Sequence, residues 1–215
     1  KEMWRSTYSD GYRFAMPARE TFHWQTEGQV RNNVLYDSTL QEATYTAANT
    51  LCALLFPGWT RWAELTPGGD IDKDKITVEI LDGLRRDTET FFEYLNHSNF
   101  AQVANETALD LMVGTGALSF DEGDNDNPFL FSAIPLSAIE LEEGPNGSIE
   151  TTFMLRKPLA RNLLRMYEGL SEIDLPERLA DKIREKPDVA VEIIQGEIYD
   201  PETGKYYGVV IACEE

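Results

Sequence analysis

Basic side chains are in short supply: 19 Lys and Arg stand against 38 Asp and Glu, giving a net charge of −19. A chain this acidic lacks the clustered cations that displace counterions from a phosphate backbone, which argues against general affinity for nucleic acid. DNA meeting such a surface is let past. Cysteine is also scarce. The two present, Cys52 and Cys213, are far apart in the chain and read as buried free thiols, with a disulfide as the other option, which suits a reducing compartment such as a cytoplasm. The two histidines, His23 and His97, belong to no HExxH, HxE or His/Cys spacing, so zinc chemistry has no support. GxSxG, GxxxxGK[ST] and GxGxxG are all missing, and with them the nucleophile elbow and the phosphate cradles. No apolar run approaches the roughly 18–20 residues of a membrane span, and no secretory apolar region opens the chain. The first residue is Lys1 where an initiating Met would stand, which suggests a piece of a longer protein.

What is present is an apolar fraction of 42%, enough for a proper core. The organising stretch is 37–66, DSTLQEATYTAANTLCALLFPGWTRWAELT. Leu40, Ala43, Ala47, Leu51 and Leu54 recur at steps of three and four, the mark of a helix over 38–56 that Asp37 or Ser38 opens and Pro57-Gly58 ends. Its small residues Ala43, Ala47, Ala48, Thr50 and Ala53 admit another backbone at close range. Trp59 and Trp62 follow, and 61–65 reads as a short strand.

Before this stretch, 1–16 carries Met3, Trp4, Tyr8, Tyr12 and Phe14 at helical spacing and stops at Pro17. Periodicity is lost over 17–36, a long loop bearing Phe22, His23, Trp24, Arg31 and Tyr36; loops of this length are usually functional or ordered by a partner. Beyond it, 74–97 gives the longest helical pattern, about 36 Å at about 1.5 Å per residue, with Ile76, Ile80, Leu84, Thr88, Phe91 and Leu95 on its apolar face. Ser98-Asn99 caps the next helix, which Gly114 terminates. The first half therefore counts three helices, two of them long, besides the short aromatic one. The period changes near Gly116. Strands are expected at 117–120, 129–134, 137–142 and 148–155, then a helix over 158–167, a weaker one over 176–186, and a hairpin of 189–199 with 205–213 containing a bulge at Ile193-Ile194. The reading is a single α+β unit over 1–215, helical to 115 and mainly β from 116.

Few residues offer chemistry. Asp70, Asp72 and Asp74 have the opening spacing of a calcium loop, but Lys75 stands where Gly is needed and Leu81 where a bidentate Glu is needed. The second acidic loop, Asp121, Glu122, Asp124 and Asp126, describes a solvated loop equally well. No catalytic residue, metal site or cofactor is expected. Arg156, Lys157, Arg161 and Arg165 are the one concentration of positive charge, read as a contact with phosphate or with an acidic neighbour subunit, or as a solvated face balancing Glu150 and Glu168. Candidate contacts with another subunit or partner are Phe22, Trp24, Arg31, Tyr36, Trp59, Trp62, Arg156, Arg161 and Arg165.

The stretch 37–66 resembles the signature region of the head-to-tail connector, or portal, proteins of short-tailed bacteriophages. The aromatic helix ending at Pro17, LMVGTGALSF at 111–120, IPLSAIELEEGPNGSIETTFMLRKPLARNLLRMY at 134–167 and VAVEIIQGEIYD at 189–200 resemble the same family in the same order. The resemblance implies the wing-like N-terminal to middle portion of a structural ring subunit, typically one of twelve, at a capsid vertex. DNA would pass its channel during packaging and ejection without sequence-specific binding. Capsid protein, a packaging motor (terminase) and tail adaptor proteins would be partners, with assembly in the host cytoplasm, residence in the virion and no membrane contact. Two other readings compete: a non-catalytic adaptor that captures a protein through 17–36, and a metal-dependent hydrolase using the acidic loops.

Overall fold

Most of the expected elements form, in a computed structural model that describes residues 2–22, 35–68, 71, 76–124, 126–167 and 176–213. The fold is α+β with antiparallel sheets, and the chain divides into two compact units, Lys1–Ser137 and Ala138–Glu215. The division falls well after the change of period at Gly116, because the first hairpin packs against the last helix of the helical half.

In the first unit, α1 (Glu2–Ala15) buries Ser9, Tyr12 and Ala15, three residues apart on one face, and Pro17 then forces a 3-10 turn, Pro17–Arg19. Helix α2 (Thr39–Leu55) corrects an expectation. Of its 17 residues only Thr44 and Ala48 are buried, while Leu40 and Leu54 stand in solvent. The small side chains let α2 lie close along α4 (Phe100–Val113), which presents Ala104 and Ala108; the Cys52 thiol reaches the Ala104 carbonyl at 3.6 Å, and Asn105 donates to Asn49 at 2.7 Å. Leu40 and Leu54, the bulky ends of the apolar stripe, are thereby turned outward.

The strand expected at 61–65 is absent. That segment is held by side chains instead: the Leu65 N–H donates to Thr88 Oγ1 at 3.1 Å, and Arg61 pairs with Glu89 at 3.0 Å. Helix α3 (Val78–His97) starts later than expected, capped by Thr77, whose side chain accepts from the Ile80 N–H. Its buried residues are Thr88, Phe92 and Leu95, whereas Ile80 is exposed, so only the C-terminal half of α3 has the expected packed face. Phe92, Leu95 and Val103 meet Phe131 in a core flanked by Phe91, Phe100 and Phe129.

Phe131 and Phe129 come from β2 (Phe129–Ile134), which pairs antiparallel with β1 (Ala117–Glu122). Asn99 serves this hairpin: its amide donates to the Phe131 carbonyl at 2.7 Å and accepts the Phe131 N–H at 3.0 Å, closing both halves of a ladder pair with one side chain. Gly114 ends α4 where a Cβ would lie 2.8 Å from the Tyr8 ring and 2.9 Å from Leu136, so the chain can turn there only without a side chain.

The second unit is a four-stranded antiparallel sheet in the order β3-β4-β5-β6: Ile139–Glu143, Ile149–Arg156, Ile193–Asp200 and Lys205–Ala212. The bulge expected at Ile193-Ile194 is not there. β5 runs in unbroken register on both sides, and the register shift lies at Glu142/Glu143 in β3. The two adjacent isoleucines reflect a central strand partly covered on both faces, with Ile193 buried and Ile194 half-buried. The helix expected over 158–167 shrinks to a 3-10 turn, Ala160–Asn162, and one turn of α5 (Leu163–Met166). Tertiary hydrogen bonds explain this: the Val191 N–H donates to the Pro158 carbonyl at 2.8 Å and the Ala160 N–H to the Val189 carbonyl at 2.9 Å, drawing 158–160 out straight. Helix α6 (Glu177–Glu185) covers the same end, where Ala160, Leu163, Leu179, Val191 and Ile193 form the core. Gly204, with φ +66°, completes the β5–β6 turn that 200–204 announces. Among the described residues, no helix is long and apolar enough to cross a membrane.

Candidate functional site

A buried polar arrangement joins α1 and the 3-10 turn after it to α4. The Asp110 carboxylate, on the inner face of α4, is 2% exposed. It accepts from the Tyr12 hydroxyl at 2.8 Å, from Arg19 Nε at 3.2 Å and from Arg19 Nη2 at 2.8 Å. Burial, the charge of Asp110 and the hydrogen bond to it all push the Tyr12 phenol up, so it stays protonated and donates. For Arg19, burial opposes the charge, but the Asp110 hydrogen bond and charge outweigh it and the guanidinium is held more firmly protonated than usual. A bidentate arginine on a buried carboxylate, with Glu106 3.8 Å from the same guanidinium, is a clamp. It fastens the turn after α1 to α4.

Phe22 belongs to this clamp. It is buried, its ring 5.9 Å from Tyr12 and 6.1 Å from Tyr8, its N–H donating to the Glu20 carboxylate at 2.8 Å and its carbonyl accepting from Arg5 at 2.7 Å. Trp24 and Arg31 lie outside the described residues. Tyr36 is 99% exposed, just before Asp37, whose carboxylate accepts the N–H and hydroxyl of Thr39 and is lowered by those bonds.

The two tryptophans after α2 part company. Trp62 lies among Phe56, Phe92 and Phe100, with centroids 5.0, 5.5 and 6.0 Å away, whereas Trp59 is 79% exposed. Trp62→Ala is expected to cost about 1–3 kcal/mol and Trp59→Ala to stay within about 0.5 kcal/mol, as thermal denaturation would read. Equal effects would contradict these placements. Trp59 instead extends a bare surface: α2 has a single charged residue, Glu42, yet Leu40, Tyr45, Leu54 and Leu55 are exposed along it.

The basic group of the second unit is mostly engaged within the chain. Lys157 pairs with Glu192 and Arg161 with Asp188, the latter at 2.7 Å, and Arg156 Nε approaches Met154 Sδ at 3.5 Å; Arg165 is exposed. These partners are not the expected Glu150, and Glu168 lies outside the described residues; no sequence spacing announced them, because they are supplied by the 187–192 segment that tertiary bonds bring alongside.

Among the described residues no catalytic geometry emerges. Asp70, Asp72 and Asp74 lie outside the described residues. In the second acidic loop the Asp124 carboxylate accepts the N–H groups of Asp126 and Asn127 at 3.0 and 2.7 Å, an ordinary turn. Among the described residues no group of three or more His, Cys, Asp or Glu is placed to hold a metal ion. The hollow lined by Arg61, Trp62, Glu64, Arg85 and Thr88 is an open groove along α3. Both thiols are free, and burial, partly countered by Asn105, raises the pKa of Cys52 and blunts its reactivity. What the described residues offer is clamped helices and, along α2, a surface with one charge in 17 residues. Against known proteins, the family described as bacteriophage head to tail connecting protein matches residues 1–205. No curated protein matches the sequence.

Proposed function

Since the chain belongs to the family of bacteriophage head-to-tail connecting proteins, we propose that it is the wing-like part of a subunit that closes into a ring at one capsid vertex. As a family member it is a structural component of the virion, joining head to tail. In this reading the ring has twelve subunits, DNA is packaged and ejected through its channel, a terminase docks on it from one side and tail adaptor proteins from the other, and assembly takes place in the host cytoplasm.

The observation that carries this is the family match over residues 1–205. Two physical features support it. A net charge of −19 gives moving DNA no cationic groove to grip. An exposed α2 with one charge in 17 residues is the kind of surface that like-charged copies can bring together, since a core of an interface is depleted in charge. The protein, purified and imaged by negative-stain microscopy with its mass taken by native mass spectrometry, is expected to form closed rings. A strictly monomeric protein would overturn the proposal. The burial of Phe22 counts against the adaptor reading, in which that side chain is offered to a partner.

A further inference from the structure

The four-stranded sheet has two dissimilar edges. β3 is five residues long, carries Glu140, Glu142 and Glu143 and contains a register shift, all of which discourage strand addition. β6 is eight residues, KYYGVVIA, with Lys205 its one charge. Nothing described covers it: Tyr206, Tyr207, Val210 and Ile211 are exposed, and these residues point alternately to both faces.

The backbone pattern of β6 can be worked out from its last bond. The Cys213 N–H donates to the Glu192 carbonyl at 2.9 Å, and Glu192 opposite Cys213 continues the register in which Ile193 faces Ala212. Hydrogen-bonded pairs alternate in an antiparallel ladder. Ile211, Val209 and Tyr207 therefore bond to β5, while the N–H and C=O groups of Tyr206, Gly208, Val210 and Ala212 point away from the sheet.

That outward row is self-complementary. We propose that β6 pairs antiparallel with β6 of a second copy of this chain, around a two-fold axis at Gly208. In that register the outward groups of Tyr206, Gly208 and Val210 meet those of Val210, Gly208 and Tyr206 of the partner subunit. Every tyrosine then faces a valine, Tyr206 against the partner's Val210 and Tyr207 against the partner's Val209, the aromatic to β-branched pairing that sheets favour. Lys205 and its copy fall at opposite ends. On a chain of net charge −19, the eight residues of this edge strand carry no acidic side chain.

The inference does not rest on ring formation. A two-fold contact is isologous, whereas a cyclic ring closes through head-to-tail contacts, so the two use different surfaces. Gly208 supplies the test, because a Cβ there meets nothing within 4 Å and a side chain fits the folded unit. Gly208→Lys and Gly208→Glu each set like charges against each other at the axis and should raise the dimer dissociation constant by roughly tenfold. Mixing the two variants should restore pairing as a heterodimer, read by analytical ultracentrifugation and by concentration-dependent protection of the Gly208 and Val210 amides from hydrogen exchange. Circular dichroism confirms that both variants are folded. Any rings should persist in both. Wild-type amides that exchange fast at every concentration, a mixture that pairs no better than either variant alone, or rings lost together with pairing would each overturn the proposal.

Discussion

Asp110→Ala is expected to lower the unfolding free energy by about 3–5 kcal/mol, the cost typical of removing one partner from a buried ion pair. Three hydrogen bonds end on that carboxylate, from Tyr12 and from two nitrogens of Arg19. Its loss strands a guanidinium whose side chain is 24% exposed, with Glu106 at 3.8 Å as the remaining acid. The Tyr12 hydroxyl loses its acceptor in a site it cannot leave, since the residue is 2% exposed. Asp110→Asn keeps an acceptor for Tyr12 but not the charge and is expected to fall between wild type and Asp110→Ala. Urea denaturation followed by far-UV circular dichroism measures both. An Asp110→Ala protein with an unchanged midpoint would show that the clamp contributes nothing to stability.

Phe131→Ala should be nearly as damaging, at about 3–5 kcal/mol, the range for emptying an aromatic site in a core. The ring lies 5.1 Å from Phe100 and 5.2 Å from Phe120, and its residue joins β2 to the cluster of Phe92, Leu95 and Val103. The neighbours are large and rigid, so they close over a void poorly. Phe131→Leu, which fills most of the space, is expected to lose less than half as much. Neither change touches the Phe131 backbone bonds to Asn99, so the loss reports packing alone. A cost under about 1 kcal/mol would mean the site collapses freely.

Periodicity revealed most elements and misplaced several faces. Helical spacing found α2 and its small residues, Ala48 among them, were expected to admit another backbone, but the apolar stripe through Leu40 and Leu54 is not the buried side: the structure buries Thr44 and Ala48. Apolar patterning assumes that the greasiest stripe is the buried one; here close approach to α4 decided, and the leucines were left for a different role. The strand at 61–65 and the helix at 158–167 failed for a related reason. Their backbones are claimed by distant groups, the Thr88 hydroxyl in one case and the Val191 N–H and Val189 carbonyl in the other, which no local window contains.

The polar clamp was equally out of reach. Tyr12 was legible as an aromatic on a helix face, but Arg19 and Asp110 are 91 residues apart in sequence, and no spacing rule joins them. A single clue existed, an aspartate within the apolar run of 108–113, where an ionisable group needs a buried counter-charge. The family, by contrast, was readable from the order of segments, and the match over residues 1–205 agrees with it.

Asn99 makes the small hairpin lopsided. Because its carboxamide already occupies both backbone groups of Phe131, the flank of β2 at that level is sealed by a side chain and has no vacancy for another polypeptide. A strand adding to that flank of β2 would first have to displace the Asn99 carboxamide, an asymmetry that the simple pairing of β1 with β2 would not suggest. Strand protection is thus vested in one amide, while the Phe100 N–H at the start of α4 donates to the Ser98 hydroxyl at 3.1 Å, and exchanging Asn99 for leucine would open the ribbon on the side where it is now shut.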